Sequence, residues 1–395
     1  MLPADELAVE GRGEHRMRFV FACDSFKGTI SSSRSAQLLA EEARRFFPQA
    51  QVSGVEVADG GEGTVDAVVA ATGGELRTVR VWGPRGNVVD ARYGLLGGGR
   101  ALIEMAAASG LPLLSAEERD PRATSTFGTG QLICDALDQG VRDISLAIGG
   151  SATNDGGMGC MRALGVRFLD ADGHELAGTG DDLARVATID LSGMDPRVAD
   201  TSFHVMCDVD NPLVGERGAT YVFGPQKGAT PQIAEALEAG MRSYAQVLVQ
   251  VFTGFDPEAP GMGAAGGLGA AARTFLDAEV LPGVEQVLNL VGFDQLLEGA
   301  SLCVTGEGHA DSQSAHGKVV SGVAARCRRA GVPCVAVVGG MNADARELLG
   351  CGVDVLVPTV IDAGPIEEAL AHAEENFTMA AERIFALLSL GGSIR

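Results

Sequence analysis

A chain of 395 residues is long enough for two domains. Its 30 cationic and 52 acidic side chains leave a formal charge of −22, which excludes nucleic acid and anionic membrane as partners of the surface as a whole. Eight cysteines without a C-x-x-C pair, and no histidine spacing suited to zinc, fit a reducing compartment. There is no signal peptide and no apolar run of about 18 residues. The expectation is therefore a cytoplasmic protein.

Residues 1–16 are polar and aperiodic and read as a disordered leader, with Met17 as an alternative start. Arg18–Cys23 (RFVFAC) is a short buried strand, followed by Asp24, Ser25, Phe26, Lys27 and Gly28 and then by an amphipathic helix over 31–47. That order presents an acid and a base at the carboxyl end of a strand, where open α/β sheets bind ligands. Val52–Val57 repeats it: the strand runs into Asp59, Gly60, Gly61 and Glu62 before a helix over 65–70. The two carboxylates suit a metal or hydroxyl site, or a capping pair in the first helical turn.

Residues 77–96 form a hairpin about Gly83-Pro84-Arg85-Gly86-Asn87, and ALIEMAAASG (101–110) is a strand entering a helix. TSTFGTG (124–130) is a hydroxyl- and glycine-rich loop that either cradles phosphate or caps the helix over 131–137. In 145–165, a strand ending at Ile148 is joined by Gly149-Gly150 to a helix marked by Met158, Met161 and Leu164. Ser151, Thr153, Asn154 and Asp155 lie between, among four glycines. Such a turn exposes backbone N–H groups to an anion, unless it is an ordinary Asn/Asp-capped turn.

A strand is expected over 182–190. Phe203–Cys207 is another, ending in Asp208-Val209-Asp210-Asn211-Pro212. Period 2 puts Asp208 and Asp210 on one side of an extended segment, and two converging carboxylates call for a cation or a shared proton. Thr230-Pro231 starts a helix to Val251, with threonine as N-cap and proline at N1. PGMGAAGGLG (260–269) contains G-x-G-x-x-G, but no strand precedes it; close helix packing or a backbone-lined pocket wall is expected there rather than a dinucleotide fingerprint. After a strand over 301–305, Glu307, Asp311 and Lys318 lie in a loop that is no Walker motif. His309 and His316 read as surface or capping residues. The last hundred residues alternate strand and helix, which implies a parallel sheet with helices on both faces.

Only three of the 30 cations are lysines, and Lys27, Lys227 and Lys318 each lie beside a glycine. A chain so biased to arginine keeps lysine where a compact ammonium approaches a phosphate or carboxylate.

DSFKGT, ADGGEGT, IEMAAASGL, FGTG, GGSATNDGG, CDVDNPL, FGPQKGAT, GAAGGLG and TGEGHADSQSAHGK occur in this order from Asp24 to Lys318, and together they resemble the bacterial glycerate kinase family. His309-Ala310 departs from the basic–aliphatic pair common there. The resemblance implies an α/β fold of two domains about an active-site cleft. One is a discontinuous Rossmann-like parallel-sheet domain (17–70 plus 285–395), with a mixed α/β domain (71–284) inserted into it. It also implies ATP-dependent phosphorylation of D-glycerate with Mg2+, 2-phosphoglycerate being the favoured product. ATP and D-glycerate are the expected partners, and a homodimer is compatible.

In that reading Asp208 deprotonates the hydroxyl, helped by Asp24 and Lys27, with magnesium on Asp210 and Asp208 or on Asp24. Lys27 and Lys318 balance phosphate charge. Ser25, Asp59, Gly60, Gly61, Ser151, Asn154, Asp155, Lys227, Glu307 and Asp311 complete the binding set. The competing readings are a non-catalytic sugar-acid-binding or regulatory domain, a kinase for another hydroxy acid, and a dehydrogenase, which the absent fingerprint disfavours.

Overall fold

The computed structural model describes residues 17–391 except 27, 59, 62, 316, 362 and 363. Of the residues singled out above, Lys27, Asp59, Glu62, His316 and the 1–16 leader lie outside the described set. The strands are β1 (Arg18–Cys23), β2 (Gln51–Gly54), β3 (Glu75–Trp82), β4 (Val88–Gly97), β5 (Arg100–Glu104), β6 (Asp143–Ala147), β7 (Arg167–Leu169), β8 (Thr188–Asp190), β9 (Ser202–Met206), β10 (Glu279–Leu281), β11 (Leu302–Ala310), β12 (Cys334–Met341) and β13 (Val355–Pro358). The chain divides into two compact units. One runs through Val55 and resumes over Asp294–Ala315 and from Val323 on; the other is Glu56–Phe293 with a short segment ending at Gly322. No helix among the described residues is long and apolar enough to cross a membrane.

The first unit holds a five-stranded sheet in the order β13-β12-β11-β1-β2, parallel throughout. Alternation in β1 and β11 turns Phe19, Phe21, Leu302 and Val304 to one face. There they pack on Leu38 and Leu39 of the helix Ser32–Phe46 and on Phe377 and Phe385 of the helix Ala373–Gly391. The Phe385 ring lies 5.3 Å from that of Phe19. Ser31 caps the first of these helices, its side chain accepting from the Arg34 amide. On the opposite face Cys303 and Cys334, paired in register, meet Cys327 of the helix Val319–Ala330. Helices thus cover both faces, as the near-continuous apolar strands require. From β1 the chain moves to β2 on one side; from β11 it moves to β12 and β13 on the other. Between β1 and β11 the strand order reverses.

The second unit holds a six-stranded sheet in the order β10-β9-β6-β5-β4-β3. Strands β5, β6, β9 and β10 are parallel, and the β3–β4 hairpin joins antiparallel to β5. Ile103, Leu146 and Val205 face a large core built with the helices Phe127–Asp138, Pro231–Val251 and Leu268–Phe275. Their neighbours Leu102, Ala147 and Met206 face the helices Thr64–Thr72 and Gly283–Leu290. Those two helices therefore belong to this unit, and the chain crosses into it at Val55 rather than at residue 70.

Local expectations differ from the structure at several places, among them β2, which ends at Gly54 and not at Val57 because its partner β1 pairs with it only that far. FGTG is the buried first turn of the helix Phe127–Asp138 and not a loop. Glu307 lies within β11, which continues to Ala310 because β12 pairs with it as far as Met341. Over 182–190 a 3-10 turn at Gly180–Arg185, closed by a Thr179–Asp182 capping box, leaves only β8 extended. Strand β9 ends at Met206, short of the acids that follow.

Gly128 shows why FGTG carries glycine inside a helix: a Cβ there would land on the Trp82 carbonyl oxygen and press on the Ala108 side chain. Since backbone must yield, Gly128→Ala should lower stability by about 1–3 kcal/mol, read as a lower urea midpoint at unchanged slope. An unshifted midpoint would refute this packing.

Candidate active site

Strands β6 and β9 lie side by side and parallel, with Ala147 opposite Met206. The chain leaves β6 as Ile148-Gly149-Gly150-Ser151 and β9 as Cys207-Asp208-Val209. Both exits, with Gly60 and Gly61, line a cavity of about 380 Å³. This is the carboxyl end of parallel strands, where α/β proteins bind ligands. Asp208 is held at the rim by the Gly283 amide, which donates to its Oδ1 at 3.0 Å. The same approach requires glycine at position 60, where φ is +90° and a Cβ would meet Gly283 Cα at 3.0 Å.

The wall opposite is Ala264-Ala265. There Ala265 adopts φ 53°, and a Cβ on Gly266 would strike the Thr153 carbonyl. Of the two readings of the glycine-rich 260–269 segment, Ala264-Ala265 follow the pocket wall, while Leu268 and Gly269 open the helix Leu268–Phe275.

A second cavity, about 430 Å³, shares Gly60, Gly61, Gly149 and Gly150 with the first. It adds Asp66, Arg92 and Glu104. Arg92 pairs with Asp66 at 3.5 Å, and Glu104 Oε1 accepts from the Val65 amide at 2.8 Å. Neither Arg92 nor Glu104 was singled out from the sequence. Glu104 ends β5 and was open to the strand-end argument applied to Asp24; Arg92, mid-strand in a hairpin, carries no such signal.

The GGSATNDGG turn works differently from the expectation. Asp155 is fully buried, and its own carboxylate takes the amides that the turn was expected to offer to an anion. Gly157 N donates to Oδ1 at 3.0 Å, and Gly159 N donates to Oδ2 at 3.2 Å. Thr126 adds its amide at 2.7 Å and its hydroxyl at 2.8 Å. Burial pushes this carboxyl above its usual range while these four donors pull it back. All four donors favour its charged form. Asn154 is equally buried and donates to Thr220 Oγ1 at 3.2 Å. Asp155 and Asn154 therefore shape the turn from inside.

Ser151 does reach the cavity, and behind it stands Lys227. Only 1% exposed, this lysine brings Nζ within 2.8 Å of Ser151 Oγ and donates to the Thr153 carbonyl at 2.7 Å. Burial pulls its ammonium down to about 7, against the opposing field of Asp155. Gly228 ends the turn that aims it, at φ +97°, where a Cβ would hit the Arg119 carbonyl. The glycine beside this lysine is a steric requirement.

Asp208 and Asp210 do not act as a pair. Strand β9 ends at Met206, so period 2 no longer fixes where the two side chains point. Asp210, its side chain 75% exposed, turns to Arg217 at 3.1 Å. In the first unit, Asp24 and Glu307 follow Cys23 and Gly306, which are opposite each other in β1 and β11, and the Asp24 amide donates to the Gly306 carbonyl at 2.9 Å. The two acids are thus neighbours in the sheet at the point where the strand order reverses, itself a ligand-binding position in open sheets. The Ser25 amide donates to Asp24 Oδ1 at 2.7 Å. Asp311 caps the following turn through the amides of Gln313 and Ser314. Lys318 immediately precedes the helix Val319–Ala330, in the second unit.

The family model of the glycerate kinase family matches residues 19–389. The chain is 44% identical to the glycerate 2-kinase of Escherichia coli K12, over 95% of this chain and 99% of that one. It is 42% identical to the glycerate kinase of Bacillus subtilis, over 95% and 98%. A crystal structure of a putative glycerate kinase 2 from Salmonella typhimurium LT2 superposes with a TM-score of 0.87 at 42% identity, covering 96% of this chain and all of that one.

The buried lysine predicts a pH dependence. Its folded value is depressed from 10.5 to about 7, so between those limits the unfolded chain binds more protons. Its contribution to stability is present at high pH and is lost as pH falls toward 7. Urea midpoints from pH 7 to 8.5 should rise in the wild type relative to Lys227→Met. Parallel curves would show that the ammonium is not desolvated.

Proposed function

The chain belongs to the glycerate kinase family and is an enzyme of that family; from this we propose that it transfers the terminal phosphate of ATP to a hydroxyl of D-glycerate, giving 2-phosphoglycerate. The observation that carries the reading is the cavity at the ends of β6 and β9, where Asp208 and Ser151 face a space suited to a small hydroxy acid. The printed name of the Escherichia coli relative favours the 2-position. The eight cysteines, all free, suit the cytoplasm.

Phosphoryl transfer asks the protein for alignment and charge balance more than for covalent chemistry. In this reading Asp208, oriented by the Gly283 amide, accepts the proton of the attacking hydroxyl. Ser151 and the glycine exits Gly149-Gly150 hold the acid, and Lys318, with Lys27, meets phosphate charge. Asp24, just past the end of β1, and Glu307, within β11 beside it, are hard oxygen donors of the kind magnesium takes and would hold it. Asp210 fits less well because Arg217 occupies it. Magnesium, when bound with the nucleotide, neutralises phosphate charge.

The test is ADP release that depends on D-glycerate, with phosphorus NMR of the product to separate the 2- from the 3-phosphate. ADP release unchanged by glycerate would refute the kinase reading and leave a binding domain. Asp208→Asn, folded, should lose about 10²–10⁴ in kcat; near-wild-type turnover would remove Asp208 from the chemistry.

Gly149→Ala is a complementary probe. No atom lies within 4 Å of its added Cβ and its φ is not left-handed, yet position 149 lines both cavities. It should fold with wild-type stability and raise a substrate KM. Unchanged KM values would mean that neither cavity is used.

A further inference from the structure

Lys227 is the buried charge whose place in the reaction is least obvious. It sits behind the cavity wall and touches the cavity only through Ser151. The contact to the Thr153 carbonyl requires Nζ to donate. If Nζ also donates to Ser151 Oγ, one lone pair of the serine oxygen is used and its own proton must find another acceptor. Ser151 lines the cavity, so the direction left for that proton is inward. A hydroxyl that accepts from an ammonium is also a stronger donor, because hydrogen bonds in a chain polarise one another.

We propose that Ser151 is an oxyanion contact of the first cavity and that Lys227 is its positioning residue, fixing the serine hydroxyl so that it donates to a carboxylate or phosphate oxygen. This rests on the kinase reading for the identity of the ligands, and it assigns a subsite within that site.

Three features support it. Lys227 is fully enclosed, so its charge is not spent on solvent, and the anion would feel it through one intervening oxygen. The partly depressed ammonium gains stabilisation when an anion arrives, so binding and protonation reinforce each other. The amides of Gly157 and Gly159 are committed to Asp155, which leaves the Ser151 hydroxyl as the side-chain donor offered by this stretch of wall. A carboxylate of the acid and a phosphate of the nucleotide share the required chemistry, so the test must separate them.

The experiment measures KM and kcat for D-glycerate and for ATP, with calorimetric titration of each, on wild type, Ser151→Ala, Ser151→Thr, Lys227→Met and the double variant. Ser151→Ala should raise KM and weaken binding for one of the two ligands by roughly ten- to hundredfold, the loss expected for one hydrogen bond to a charged group. That ligand is the source of the oxyanion. kcat should change much less. Ser151→Thr, which keeps the hydroxyl, should restore most of the affinity. Lys227→Met should reproduce the Ser151→Ala effect, and the double variant should be no worse than either single one, since both remove the same contact.

Unchanged affinity for both ligands in Ser151→Ala overturns the proposal, and that arm does not depend on Lys227→Met folding. A folded Lys227→Met with a lowered melting temperature but wild-type affinity also overturns it, by making the lysine purely structural. A wild type without glycerate-dependent turnover would sink the kinase reading instead, while calorimetry with the same two ligands still decides the subsite.

Discussion

The candidate site in the second unit depends on one buried carboxylate. Asp155 ties together the start of the helix Phe127–Asp138, through the amide and hydroxyl of Thr126, and the start of the helix Met158–Ala163, through Gly157 and Gly159. The Thr126 hydroxyl in turn accepts from the Cys160 amide, so both helix ends are satisfied from one centre. Removing an ion from water costs several kcal/mol. Four hydrogen bonds to a charged acceptor, at about 1.5–3 kcal/mol each, offset that cost, and they do so only if every donor is in place. The turn between β6 and the second helix is therefore rigid. Its exit at Gly149-Gly150-Ser151 is held where it meets the end of β9.

That arrangement reconciles an acidic chain with anionic ligands. Much of the arginine is engaged in ion pairs at the surface, such as Arg217 with Asp210 and Arg92 with Asp66, where each pair is worth little. A lysine in the interior needs no surface counter-ion, and its compact ammonium fits between Ser151 and Thr153. A guanidinium there would bring five donors in a fixed fork, and each one without an acceptor would carry a desolvation cost. The scarcity of lysine in the sequence thus has a local physical meaning at this position.

Much of the fold was legible in the sequence. The apolar runs of β1, β6 and β12, the threonine cap with proline at the start of Pro231–Val251, and the β3–β4 hairpin follow from period and punctuation alone. Errors arose where a tertiary partner overrode local composition. FGTG looks like a loop by its glycines, yet those glycines let helix backbone approach Trp82 and Cys160. Glu307 looks like a loop acid, yet pairing with β12 carries the strand past it. Period 2 joined Asp208 to Asp210 only on the assumption that β9 continued, and Arg217, seven residues on, is invisible to that argument. Strand-end logic marks Asp24 and Asp208 and applies equally to Glu104. No pattern marks Arg92.

The same comparison separates two kinds of glycine-rich turn. Where the following acid is short and points inward, as Asp155 does, it consumes the amides of its own turn, and the motif becomes a rigid shelf. Where the acid follows the last paired residue of a strand, as Asp24 follows Cys23 and Asp208 comes two residues after Met206, the carboxylate is carried beyond the sheet to its ligand-binding end. What differs is burial: Asp155 is closed in by donors from two helix starts, whereas Asp208, though it accepts from the first amide of the helix Gly283–Leu290, lines the cavity. In GGSATNDGG, Thr126 supplies donors from a segment some thirty residues earlier, so a motif that reads as an anion cradle is closed by its own chain and leaves the chemistry to the residues on either side of it.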